Sequence, residues 1–193
     1  MKIEKMKIEN FTKGFTMIEL LIVIAVLGIL AVAVLSAINP IEQINRSRDT
    51  GTRSDAEQLI GAIDRYYATN GYYPWQTGAT DTDNTGTAWQ AVSDSWVAPA
   101  DDTVVLTELS SEGRAEIKES FVTRITGSDY NSLFVYNGGD QGDSTYVCFA
   151  PQSANFTTEA ADRCDAALPG DYPASACDNL DDCGNGGNCI CLP

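Results

Sequence analysis

The sequence contains no histidine. That removes the commonest general base, and with it Ser-His-Asp and Cys-His nucleophilic sites and His-ligated zinc. Positive charge is scarce too: Lys+Arg number 12 against Asp+Glu 27, for a formal charge of −15 over 193 residues. From residue 66 onward the basic residues are Arg114, Lys118, Arg124 and Arg163, against 19 acidic ones. Such a surface repels nucleic acid and anionic headgroups, so no nucleic-acid partner is expected. No enzyme is expected either. Cysteine is absent before Cys148, so no Cys follows the N-terminal apolar run and a lipoprotein signal is excluded. What the chain does have is 44% hydrophobic residues, enough for one packed domain of about 100–150 residues with further chain to spare.

That hydrophobicity is unevenly placed. Leu20 to Leu35 reads LLIVIAVLGILAVAVL, sixteen residues without a polar side chain, and the 24 residues from Phe15 to Ile38 carry a single charge, Glu19. As a helix this stretch is about 36 Å long, enough for a hydrocarbon core of ~30 Å. Lys2, Lys5, Lys7 and Lys13 precede it, and positive flanks stay cytoplasmic, which places the rest of the chain outside the cytoplasmic membrane. A secretory signal peptide cleaved after Ala33 or Ala37 is the ordinary alternative. The run exceeds the usual apolar region of ~7–15 residues, and an acidic residue sits near its start, which counts against it.

The junction decides the reading. Lys13-Gly14-Phe15-Thr16-Met17-Ile18-Glu19-Leu20-Leu21 resembles the prepilin processing site of type IV pilins and of the related type II secretion pseudopilins. The resemblance implies cleavage after Gly14 by a prepilin peptidase, N-methylation of Phe15, and the family's acidic residue at Glu19. An ionised carboxylate in hydrocarbon is costly and calls for a partner. The leader lysines leave on cleavage, which creates an α-amine at Phe15, at the depth of a neighbouring subunit's Glu19. Favouring its own helix N-terminus is worth only ~0.3–1 kcal/mol to Glu19.

The helix is expected to run on to about residue 69, bent or locally opened at Pro40. Ile41, Ile44, Ala56, Leu59, Ile60, Ile63 and Tyr67 fall on one apolar stripe, interrupted by a polar stretch from Asn45 to Asp55. Asn70-Gly71 then Pro74 supplies the stop, and LIGAIDRYYATNGYYP over 59–74 is similar to the end of the long pilin helix. The aromatic group Tyr66, Tyr67, Tyr72, Tyr73 and Trp75 reads as core packing and not as a ligand cage. These boundaries give a leader at 1–14, a membrane and filament-core segment at 15–38, an amphipathic helical segment at 39–69, and an exported domain at 70–193.

Within that domain Thr103–Leu109 and Phe121–Ile125 read as strands, and Leu133–Tyr136 with Thr145–Ala150 as a hairpin around a Gly-rich connection. A long helix followed by antiparallel strands is an α+β arrangement. It has the pilin shape: a long N-terminal hydrophobic spine helix packed on a small antiparallel sheet, with a disulfide-stapled C-terminal region. Asp81–Gly86 resembles the opening of an EF-hand loop, but Val92 stands where a bidentate Glu is needed, so that site is rejected.

Cys148, Cys164, Cys177, Cys183, Cys189 and Cys191 make an even set in an exported region, which favours disulfides. Their spacings form no CxxC knuckle, against zinc. Six cysteines allow fifteen pairings, and the sequence does not choose among them; Cys148–Cys164 is one plausible strand-to-loop bridge, leaving the last four to staple 178–193. Asp178, Asp181 and Asp182 carry oxygen donors suited to calcium, but a solvated acidic loop is the expectation and no cofactor is required. The function implied by the resemblance is a type IV pilus subunit, made in the cytoplasmic membrane, processed by a prepilin peptidase and N-methyltransferase, and assembled with identical or related subunits into a surface filament. A type II secretion pseudopilin, or a monomeric membrane-anchored binding module, is the alternative.

Overall fold

A computed structural model describes residues 14–80, 89–97, 104–111, 115–140, 142–177, 183 and 188–193. The chain divides into two compact units, one ending at Pro40 and the other running from Ile41 to Pro193. The first contains helix α1, Met17–Ala37. It starts at Thr16, an extended N-cap, and stops at Ile38, whose φ of −105° and ψ of 129° are extended. Apolar residues surround α1 on every side, and none of its eighteen-residue apolar window is buried.

Helix α2 runs Pro40–Asn70. Proline in the first turn costs no hydrogen bond, and it pushes the residue before it out of the helical region. The single helix expected over 15–69 is therefore two helices, with Ile38 and Asn39 non-helical between them. The expected stop holds: Gly71 has φ 79°, and its N–H donates to Tyr67 O at 2.7 Å. The buried face of α2 is Ala56, Leu59, Ile60, Ala62, Ile63 and Tyr66. Ile41, Ile44 and Tyr67 from the expected stripe are instead exposed.

Four antiparallel strands follow, in the order β1 (Gln90–Ala91), β2 (Leu133–Asn137), β3 (Thr145–Phe149), β4 (Ile190–Leu192). The β2–β3 hairpin is the one read from the sequence, in the register Leu133↔Phe149 to Asn137↔Thr145. Gly139 and Gly142 in its connection have φ 93° and 101°, the region in which glycine avoids the Cβ clash. One sheet face (Leu133, Val135, Val147, Phe149) shares a core with α2 and the buried Trp75 and Trp96. Tyr73 stacks on Trp75 at 4.7 Å between centroids and meets Tyr67 at 4.6 Å; the aromatic group is packing, as expected, with Tyr67 at its exposed edge. The other face carries Tyr146, Cys148 and Cys191 against Tyr172, Ala176 and Cys189. Cover on both faces explains why all five residues of β3 are buried.

Two expected strands are helices: α3 (Val105–Ser110) and α4 (Glu119–Ile125). Val105, Leu106 and Leu109 in α3, and Phe121 and Ile125 in α4, are buried at one-, three- and four-residue intervals, which set them on one helical face. Over so few residues the two periods are hard to separate by pattern. Thr103 lies outside the described residues. A last helix, α5 (Ala154–Cys164), precedes a 3₁₀ turn at Ala174–Cys177.

The six cysteines form three bridges, Cys148–Cys191, Cys164–Cys177 and Cys183–Cys189. The Cys148–Cys164 bridge, one candidate among the open pairings, is not formed. Cys148 faces Cys191 directly across the β3–β4 ladder, a pairing that required knowledge of β4. The leader through residue 13, the Asp81–Gly86 loop, and the calcium candidates Asp178, Asp181 and Asp182 all fall outside the described residues.

Candidate processing and assembly site

The candidate residues of the first unit sit together at the start of α1. Gly14, Phe15 and Glu19 are all exposed, and Phe15 retains 81% of its accessible surface. A Cβ on Gly14 would meet nothing within 4 Å. The fold itself makes no demand for glycine there. Glu19 closes a capping box with Thr16. Its Oε2 accepts from Thr16 N at 2.8 Å and Thr16 Oγ1 at 2.7 Å, while Glu19 N donates back to Thr16 Oγ1 at 3.3 Å. Thr16-x-x-Glu19 before an apolar run is a readable N-terminus signature. The sequence reading assigned Glu19 to the helix dipole and to a neighbour, and missed Thr16. Both bonds to Glu19 use Oε2, so the box leaves Oε1 open to a further donor.

The second unit holds a buried polar set that the sequence reading took for a merely polar stretch. Asp49, Thr52 and Asp55 on α2 are all buried. Asp49 accepts from Gln152 N at 3.0 Å, Ser153 N at 2.8 Å and Ser153 Oγ at 2.7 Å. Glu42 accepts from Ala154 N at 2.8 Å. Two α2 carboxylates thereby satisfy the orphan donors where α5 begins, with favourable charge for that helix end. Arg53 pairs with Glu159 further along α5. Asp55 accepts from Arg124 Nη2 at 2.7 Å and Tyr130 OH at 2.6 Å. Burial, and then that hydrogen bond to Asp55, push the Tyr130 hydroxyl well above the ordinary tyrosine range. Spacing could have suggested these roles only weakly, because the partners lie 69–112 residues away.

A smaller polar group trims the hairpin. Asp171 accepts from Ser144 N at 2.9 Å and from Tyr146 OH at 3.1 Å. The Ser144 contacts hold its carboxyl below the usual range, while burial and then Asp171 raise Tyr146. All these arrangements bind protein to protein. Among the described residues no group of three or more acidic or thiol side chains is placed to hold a metal ion.

The class to which this geometry points is set by the N-terminal segment. The model for the prokaryotic N-terminal methylation motif matches residues 10–35, spanning the junction at Gly14-Phe15 and most of α1. Among whole proteins, the chain is 27% identical over 140 residues to the fimbrial protein EcpC of Eikenella corrodens, covering 72% of this chain and 90% of that one. Both findings agree with the resemblance to the type IV pilin family read from the sequence. No solved structure matches significantly.

Proposed function

We propose that the chain is a structural subunit of a type IV pilus. It is held in the cytoplasmic membrane by α1 with its C-terminal domain outside, cleaved after Gly14, N-methylated at Phe15, and polymerised through α1 into a surface filament. The observation that carries this reading is the pairing of the methylation motif with a helix none of whose apolar window is buried within its own chain. Lipid covers such a surface before assembly. In a filament outside lipid, only α1 helices of neighbouring subunits can do so, and at ~25 cal/mol per Å² the driving force is large. The fimbrial relative favours a pilus over a secretion pseudopilus.

Glu19 has two tasks in this scheme. Its Oε2 fixes the start of α1 through Thr16, and its charge receives the methylated amine of a neighbour's Phe15. Stranding either member of that pair in an apolar filament core costs several kcal/mol. Electron microscopy of sheared surface filaments, with mass spectrometry of their subunit, tests the proposal. Filaments whose subunit begins at methylated Phe15 support it; an intact leader on a monomeric membrane protein contradicts it.

A further inference from the structure

Among the described residues past Arg65, the cations are Lys118, Arg124 and Arg163. Arg124 is paired with Asp55. Arg163, in the last turn of α5, has no carboxylate within ion-pair distance among the described residues; its Nη1 donates instead to Cys191 O on β4 at 2.8 Å. That bond orients the guanidinium, and no described carboxylate compensates its charge. Asp162 and Asp165 are near in sequence, but their one- and two-residue offsets point them elsewhere around the helix.

Arg163 stands at the rim of a hollow of about 370 Å³, walled by Tyr146, Ala166, Leu168, Pro169 and Tyr172. The two tyrosine rings meet edge to face at 5.3 Å. Tyr146 OH is engaged by Asp171. Tyr172 OH is buried and has no hydrogen-bond partner among the described residues, a condition that costs free energy and calls for an explanation. Among the described residues, a fixed guanidinium lacking a counter-ion, a buried hydroxyl lacking an acceptor, and apolar walls of ligand size thus occur in one place.

The geometry points to a binding site for a small monocarboxylate with an apolar ring or short chain. Arg163 takes the carboxylate through its remaining N–H groups, the hollow takes the apolar body, and Tyr172 supplies the second donor after a small ring movement. A single guanidinium, set in a region with 10 acidic residues beyond Thr126, suits a monoanion and not a phosphate dianion. The site does not depend on whether the chain polymerises.

The test uses the full chain in detergent micelles with ¹³C-labelled tyrosine rings, titrated with benzoate and, separately, with its neutral counterpart benzyl alcohol. Saturable shifts of the Tyr146 and Tyr172 ring signals with benzoate, and none with benzyl alcohol, are expected. Arg163→Gln weakens benzoate binding by ~10-fold or more, the value of a charge-assisted hydrogen bond. Tyr172→Phe keeps the packing and weakens it by a few-fold, which provides a reading even if loss of the Cys191 contact unfolds the arginine variant. Equal response to both probes, no saturable response, or wild-type affinity in Tyr172→Phe and any folded Arg163→Gln overturns the proposal.

Discussion

Helix α1 and the unit from Ile41 to Pro193 solve opposite problems. In α1 the least exposed of the large apolar side chains, Val23, still shows 49% of its surface. In the second unit Trp96, Phe149, Leu59 and Leu109 are nearly or fully enclosed, with Asp49 and Asp55 buried beside such a core. One region holds almost no charge and leaves its apolar side chains exposed. The other holds most of the charge and pairs its buried carboxylates, Asp49 and Asp55, internally. Substitutions in the first should therefore alter what the protein joins, and substitutions in the second how well it holds together.

The largest expected effect lies at the junction. A Cβ at Gly14 meets nothing within 4 Å, so loss in Gly14→Leu reports on processing. It should abolish the chain beginning at Phe15, with the second unit still folded, as mass spectrometry of the intact N-terminus would reveal. Next comes the bridge joining β3 to β4, Cys148–Cys191, which closes a sequence separation of 43. Replacing both with Ala should cost about 2–5 kcal/mol in denaturant unfolding while leaving membrane insertion of α1 unchanged. Thiol labelling of the exported wild-type protein under denaturing conditions should find no free thiol; six would refute the bridges. Asp49→Ala strands the Gln152 and Ser153 donors and should cost about 3 kcal/mol in the same assay. A loss under 1 kcal/mol would mean that α5 does not rely on α2 for its cap.

The smallest effect is in pH dependence. The folded pKa of Asp171 is depressed, so its contribution is present above the unfolded carboxylate value and fades as pH falls through the folded one. Those of Tyr146 and Tyr130 are raised, so their contribution holds below the unfolded tyrosine value near 10 and fades at higher pH. Asp171→Asn should flatten the acid limb of the stability curve and leave the rest in place.

The same contrast explains what could be read from the sequence. The start of α1, its apolar run, the break at Pro40 and the Asn70-Gly71 stop are local signals, and each was legible. So was the β2–β3 hairpin, whose connection carries its own positive-φ glycines. The Thr16–Glu19 box was equally local, and its pattern was present but overlooked. The α3 and α4 helices are too short for period to separate them from strands. The cysteine pairing and the Asp49 and Asp55 brace depend on which distant segments meet, and no local pattern encodes that. Asn45–Asp55 looks solvated because its acceptors are visible while the donors from 124–153 are not.

The central claim is that the charge of Glu19 serves a neighbouring subunit and not merely its own helix. Glu19→Gln isolates it, because glutamine can fill the same position of a capping box and loses only the charge. Cells expressing this variant are sheared, and filaments are compared with membranes for the subunit. The account predicts a folded protein that accumulates in the membrane, with filament yield reduced at least ~10-fold. Wild-type filament yield from Glu19→Gln would contradict it and leave Glu19 as a helix cap alone.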